Sequence, residues 1–238
     1  MKVTIAQTSP KLNRCNLDDI VVIIQKYQNN SDLIVFPELS LSGYLLQDKL
    51  QEDAWELKEL ELLAQLSVEI DIVVGGAIKE SDGFKNSALY FSKGKLLAKH
   101  DKLHLPNYGM FEEARYFESG DSFESFSVGD EVISMVVCED LWHKNVHEKL
   151  LLHNPTLIIA LIASPARGFE NEELSIESKW YEIIKSVAKK TDARVIFVNR
   201  VGFEDGLGFW GGSCVVERDG NFVKQLPKFK EAFATLKI

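Results

Sequence analysis

Asp32-Leu33-Ile34-Val35-Phe36-Pro37 decides the fold class. Four consecutive apolar residues stand between an aspartate and a proline, too few for a helix and with no polar alternation. Neighbouring side chains of a strand point to opposite faces, so such a run needs cover on both sides. Working outward, Ile72–Ile78, Ile133–Cys138, Leu157–Ile162 and Arg194–Asn199 have the same character, and Val3–Gln7 reads as a short strand. Helical spacing fills the gaps. Asn16 or Asp18 can cap a helix over roughly 18–29 that carries Ile20, Ile23, Ile24 and Tyr27. Further helices are expected over 54–69, with Leu57, Leu60, Leu63 and Leu66 inside, over 146–153 and over 177–191. Asn86–Phe91 and Lys95–Lys102 read as a hairpin turned by Ser92-Lys93-Gly94, and Gly212–Arg218 with Asn221–Lys224 as another around Asp219-Gly220. Strands alternating with helices, plus hairpins, predict an α/β protein with a mixed sheet. The number of strands points to two sheets packed face to face between helix layers. No repeat, low-complexity stretch or Pro/Gly/Ser-rich linker interrupts the chain, and 1–238 reads as one domain.

The 238 residues include 27 Lys+Arg against 36 Asp+Glu, a formal net charge of −9. At this length about 70–75% of the unfolded surface is buried on folding, so neither a disulfide nor a metal is needed as a staple. The 45% hydrophobic and 26% charged fractions exclude intrinsic disorder and collagen-like order. The acidic balance argues against nucleic acid, whose binders present basic stripes to phosphates. The densest basic run, 93–102, is broken by Gly94 and Leu96-Leu97-Ala98. Cys15, Cys138 and Cys214 are few and odd in number, which favours a reducing compartment over a disulfide framework. Met1-Lys-Val-Thr-Ile-Ala-Gln enters a strand with no long apolar leader, and the apolar run 157–163 is far below the ~20 residues of a membrane helix. The expectation is a soluble cytoplasmic protein with no membrane or nucleic-acid partner.

Three strand-like runs end in a reactive residue: Glu38, Lys102 and Cys138. Ligands of α/β sheets usually bind in the crevice beyond the carboxyl ends of strands. Taken singly, each residue has a plain structural reading: a small buried thiol, a turn glutamate after proline, a lysine pointing at water. Taken together they form a hydrolytic set. A cation or base favours the thiolate, a carboxylate takes the thiol proton and returns it to a leaving amine, and an ammonium stabilises the oxyanion. Rival chemistries use the histidines. His143 and His147 would share a helix face and could make a zinc site with Cys138 or Asp140, although the HExxH order is missing. Cys138 with His104 would make a metal-free pair that leaves Glu38 and Lys102 idle. The fold could also serve as a non-catalytic metabolite-binding or regulatory subunit. Gly75-Gly76 and Gly206-x-Gly208 are too short for a phosphate fingerprint and read as turns. Cys15 and Cys214 read as structural thiols.

Several stretches in order carry a resemblance: 32–44, with Glu38 in Phe-Pro-Glu and Gly43-Tyr44; Val73-Val-Gly-Gly-Ala-Ile; Asn86-Ser-Ala; Lys99–Pro106; Met135-Val-Val-Cys138-Glu-Asp; Ala163-Ser-Pro; and Gly211-Gly-Ser213. This set resembles the nitrilase (carbon–nitrogen hydrolase) superfamily. The resemblance implies a four-layer α-β-β-α sandwich, often paired as a homodimer or larger homo-oligomer, and needs no cofactor or metal. It implies Glu38 as general base, Lys102 as oxyanion stabiliser and Cys138 as nucleophile. Leu105–Phe117 and Cys138-Glu-Asp-Leu-Trp142 are most similar to the glutaminase domain of glutamine-dependent NAD synthetases; other branches follow the cysteine with a Tyr-Asp-x-Arg-Phe type of segment. On that resemblance Glu113 is a second carboxylate positioning Lys102 and substrate, and Tyr108, Ser164 and Arg167 line the amide pocket. Glu139 either contacts substrate or, with Asp140, anchors the nucleophile turn. The synthetases continue into an ATP-dependent domain with a Ser-Gly-Gly-x-Asp-Ser loop, which has no counterpart here. The expectation is a stand-alone hydrolase of glutamine or another small ω-amide, releasing ammonia to a separate ammonia-using synthetase.

Overall fold

Leu33, Ile34 and Val35 are all fully buried in the computed structural model, which describes residues 1–170 and 173–238. In chain order the strands are β1 (Lys2–Gln7), β2 (Leu33–Val35), β3 (Asp71–Glu80), β4 (Gly83–Ser92), β5 (Lys95–Asp101), β6 (Ser125–Val128), β7 (Glu131–Val137), β8 (Leu157–Ile162), β9 (Phe169–Glu170), β10 (Glu173–Leu174), β11 (Arg194–Asn199), β12 (Val201–Glu204), β13 (Leu207–Trp210), β14 (Cys214–Val216), β15 (Phe222–Gln225) and β16 (Ala232–Lys237). The α-helices are α1 (Asn16–Tyr27), α2 (Leu50–Asp53), α3 (Glu61–Leu66), α4 (Lys144–His153) and α5 (Ser175–Thr191). One six-stranded sheet runs β16-β1-β2-β3-β4-β5 and the other β15-β14-β11-β8-β7-β6. Each has three parallel strands at its centre, β1-β2-β3 and β7-β8-β11, with antiparallel flanks.

Alternate residues of each central strand serve two different cores. Leu33 and Val35 pack with Val3, Ile5 and Val73 against Ile133, Met135, Ile159, Leu161, Ile196 and Val198 of the facing sheet. Ile34 and Phe36 turn the other way, to Ile20 and Ile24 of α1 and Leu63 of α3. Ile158, Ala160 and Ile162 likewise meet Val146 and Leu150 of α4 and Trp180, Ile184 and Val187 of α5. The result is an α-β-β-α sandwich, and it explains why the strands lack polar alternation.

Local departures have physical causes. The expected helix 54–69 is interrupted. Trp55 instead forms a one-residue bridge to Ile78, with its N–H on Ala77 O and its C=O accepting from Lys79 N–H. A 3₁₀ turn (Leu57–Leu60) then leads into α3; Leu60 and Leu63 are buried, but Leu57 is exposed. Neither Asn16 nor Asp18 caps α1: Asn16 is its first residue, and its side chain instead accepts Lys11 N–H and donates to Lys11 O and Asn13 O. Gly75-Gly76 is no turn but the middle of β3. A Cβ on Gly75 would stand 2.6 Å from Pro37 O and 2.8 Å from Glu38 Cα, so this glycine admits the chain that carries Glu38. Gly206 does turn the β12–β13 hairpin, with a φ of +82°, but Gly208 lies in β13. Cys214 is fully buried, whereas Cys15 is exposed and is no part of the core.

Candidate active site

Pro37 lacks an N–H and cannot continue the ladder, so β2 gives way to a loop. Phe36 N–H still bonds Val73 O at 2.8 Å, and Leu39 then adopts a φ of +49°. Between them Glu38 is fully buried. Its Oε1 accepts from Asn86 Nδ2 and from Lys102 Nζ, both at 2.8 Å, while its Oε2 meets no partner among the described residues.

Lys102 follows β5, anchored by its N–H on Asn86 O at 2.8 Å and by Gly120 N–H on its own carbonyl. Its ammonium donates to Glu113 Oε2 at 2.7 Å and Oε1 at 2.9 Å as well as to Glu38. Glu113 opens a short 3₁₀ turn (Glu113–Arg115) and accepts Tyr44 O–H at 2.6 Å on Oε1. Burial works against the Lys102 charge, but Glu113 and Glu38 outweigh it and hold the ammonium well above the ordinary lysine range. Burial raises the Glu113 carboxyl despite the pull of Lys102.

Cys138 terminates β7 with a φ of +43°, a left-handed conformation that costs a side-chain-bearing residue about 1–3 kcal/mol. Asp140, two residues on, is fully buried and holds this turn. Its Oδ2 accepts Val137 N–H and meets His100 Nε2; its Oδ1 accepts Leu103 and His104 N–H. One carboxylate therefore ties the end of β7, beside Cys138, to the segment that follows Lys102. Burial pushes the Cys138 thiol well above its ordinary range; Glu38 and Glu113 add to this, and Lys102 and the Ala163 backbone N–H oppose it.

A cavity of about 290 Å³ opens over Cys138. Tyr44, Tyr108, Phe111, Glu139, Ser164 and Arg167 line it, so Tyr108, Ser164 and Arg167 share one cavity with Glu139. Ser164 Oγ accepts Trp180 Nε1–H at 2.9 Å, and Ser164 N–H donates to Asn199 Oδ1. Tyr108 O–H donates to Glu139 Oε2 at 2.9 Å; partial burial and that bond push the phenol up to about 12. Arg167 lies 5.0 Å over the Phe111 ring, and its buried Nε meets no partner among the described residues. Glu112 is exposed and 3.7 Å from Arg115, a solvated pair.

A family model described as carbon-nitrogen hydrolase matches residues 2–238. The chain belongs to the carbon–nitrogen hydrolase family. Two curated relatives are glutamine-dependent NAD(+) synthetases, from Acinetobacter baylyi (30% identical over 97% of this chain) and Aquifex aeolicus (32% over 93%). The chain spans 42% and 39% of those two proteins. A solved glutamine-dependent NAD+ synthetase from Acinetobacter baumannii is 30% identical with a TM-score of 0.87, over 98% of this chain and 44% of that one. An amidase from Nesterenkonia sp., 22% identical over all of this chain and 90% of its own, shares the fold with a TM-score of 0.84.

Within this carbon–nitrogen hydrolase the histidines are engaged elsewhere. His104 stacks on His143 at 3.7 Å and meets Asn145 Oδ1 at 3.0 Å, not Cys138. His143 Nε2 lies 3.4 Å from Glu139 Oε1, and His147 Nε2 meets Leu141 O at 2.7 Å. Among the described residues no group of three or more His, Cys, Asp or Glu is arranged to hold a metal ion. No helix of the described residues is long and apolar enough to cross a membrane. Sequence reasoning did not single out Tyr44 or Asn86 as site residues. The hairpin register gives a signal for Asn86: Ser87 pairs with Asp101, so Asn86 stands opposite Lys102. Tyr44 lies 69 residues from its partner Glu113, and no local pattern connects the two.

Proposed function

We propose that this chain hydrolyses the C–N bond of a small carboxamide through a Cys138 thioester, releasing ammonia. The reading is carried by one observation: a buried chain, Glu38–Lys102–Glu113, whose charges act on a thiol at a small cavity. Burial, with two carboxylates facing one ammonium, keeps the proton on the thiol, which is activated only as it attacks. Cys138 Sγ bonds to the carbonyl carbon while its proton passes to Glu38 Oε2, the oxygen with no partner. The π pair moves to oxygen, where the Lys102 ammonium and the Glu139 backbone N–H stabilise it. Glu38 then returns the proton to nitrogen and ammonia leaves. A water, deprotonated by Glu38, cleaves the thioester to the carboxylic acid and restores the thiol.

The cavity suits an amino-acid ω-amide such as glutamine. Glu139 offers a carboxylate to an α-ammonium and Arg167 a guanidinium to an α-carboxylate, with Tyr108 and Ser164 as neutral polar neighbours. The reading extends to a cytoplasmic homo-oligomer in which residues 1–238 form one hydrolase domain supplying ammonia to a synthetase, the activity named for the relatives. A screen of glutamine, nicotinamide and ω-amides of dicarboxylic acids, with ammonia as readout, tests it. Turnover is expected for at least one ω-amide with a free carboxylate, with Arg167→Ala raising its KM more than it lowers kcat. Turnover of apolar amides alone would contradict the assignment of the pocket.

A further inference from the structure

An ammonium has three hydrogens, and those of Lys102 are all committed: to Glu38 Oε1 at 2.8 Å, Glu113 Oε2 at 2.7 Å and Glu113 Oε1 at 2.9 Å. To donate to an oxyanion it must give one up, and a buried carboxylate oxygen left without a donor is costly. Surrendering Glu38 would sever its only contact with Lys102. Surrendering Glu113 Oε1 keeps both ion pairs, because Oε2 remains bound. That same Oε1 is already covered by Tyr44 O–H at 2.6 Å, and Tyr44 lines the cavity with Cys138.

The Tyr44 segment is held from behind by a fully buried arginine. Glu204 Oε1 accepts the backbone N–H of Tyr44 at 2.8 Å and that of Leu45; its Oε2 accepts Arg200 Nη1 at 2.7 Å. Arg200 Nη2 donates to Pro10 O at 2.8 Å, and its guanidinium lies 4.1 Å over Phe209, whose ring meets the Tyr44 ring edge-on at 5.8 Å. Gly43 completes the approach: at a φ of +84°, a Cβ there would lie 2.7 Å from Lys11 O. Nothing in the hydrolytic cycle uses Arg200 or Glu204, and a buried ion pair of this kind is better explained by placement than by stability.

We propose that Tyr44 is a positioning residue for acylation: its hydroxyl holds Glu113 Oε1 while Lys102 turns that hydrogen to the oxyanion, and Arg200–Glu204 fix the Tyr44 loop. The inference rests on the hydrolase reading, with Cys138 as nucleophile. As the S–C bond forms and the thiol proton passes to Glu38, Lys102 exchanges one acceptor for another and no proton leaves it.

Single-turnover acylation of Cys138 by p-nitrophenyl acetate tests this, because the step forms an oxyanion without requiring the physiological amide. The Sγ–C bond forms, the ester C–O bond breaks and p-nitrophenolate leaves; mass spectrometry of the Cys138 peptide distinguishes the adduct from reaction at exposed Cys15. Alkylation by iodoacetamide, which builds no oxyanion, is the control. Tyr44→Phe is expected to slow acylation by about 10- to 100-fold, the loss of one hydrogen bond to a charged group, and to change alkylation by less than about threefold. Glu204→Gln is expected to slow acylation in the parent protein but to add less than about twofold in the Tyr44→Phe background. Unchanged acylation in Tyr44→Phe, equal slowing of acylation and alkylation, or full additivity of the two substitutions would each overturn the proposal. A parent protein whose Cys138 is not acylated overturns both the proposal and the hydrolase reading. Normal acylation without turnover of any amide removes the amide reading alone.

Discussion

Burial first, and then a single ammonium set between two buried carboxylates, governs the behaviour of Cys138. The thiol is not poised as a thiolate: burial and both carboxylates keep its proton on, against the opposing pull of Lys102 and a backbone N–H. On the proposed mechanism activation depends on a base with a free lone pair, the role given to Glu38 Oε2, which meets no partner among the described residues. In the proposed mechanism Lys102 has a double task, binding both carboxylates and meeting the oxyanion. Lys102→Ala is expected to lower kcat by about 10²–10³-fold or more, the scale of losing an oxyanion donor, as measured by steady-state ammonia release; a loss below about tenfold would contradict the role. The three reactive residue types were legible because each closes a strand-like run, and the resemblance pointed to Glu113. Tyr44, Arg200 and Glu204 were not legible as a unit: residues 44 and 204 are 160 positions apart and meet only once both sheets are packed.

At the scale of elements, strands buried on both faces were the easiest to read, since nothing competes with an unbroken apolar run: β8 and β11 have the expected bounds. Failures cluster where a tertiary contact overrides local preference. Trp55 leaves its helical pattern to pair with Ile78, and Gly75-Gly76 resembles a turn in sequence because it makes room for the Glu38 loop inside a strand. β16 alternates weakly and is half-exposed, so its pairing along the whole of β1 gives no strong local signal. Helix ends carry small strains of their own. Asp192 caps α5 with a φ of +51°, where a Cβ is penalised. Asp192→Gly is expected to stabilise the fold by about 0.5–1 kcal/mol, the αL penalty less the entropy cost of glycine. Urea unfolding would show a higher midpoint at unchanged slope; a lower midpoint would mean that the exposed contact with Arg218, at 3.8 Å, matters more.

For the whole molecule, sandwiching two sheets between helix layers buries ionisable groups that titrate normally once unfolded. Cys214, the first residue of β14 and fully buried in the core that α5 covers, has its thiol pushed well above the ordinary range by burial, with Lys185 opposing and Glu177 adding. Below the unfolded thiol value of about 8.5 both states keep the proton and pH has no effect through this group. Above it the unfolded chain releases a proton that the folded chain retains, so stability falls as pH rises. The melting temperature is expected to decline between pH 8 and 10, and Cys214→Ala to flatten that decline; an identical slope in the variant would show that the loss arises elsewhere.

The central claim is that a carbon–nitrogen bond is broken by covalent attack of Cys138, and rapid acid quench of the protein during turnover of an ω-amide tests it most directly. Intact and peptide mass spectrometry should find an acyl adduct on the Cys138 peptide that forms with release of one ammonia, and Cys138→Ala should show neither adduct nor ammonia while keeping its fold by circular dichroism. Undiminished ammonia release from Cys138→Ala, or turnover without an adduct at this residue, would contradict the account.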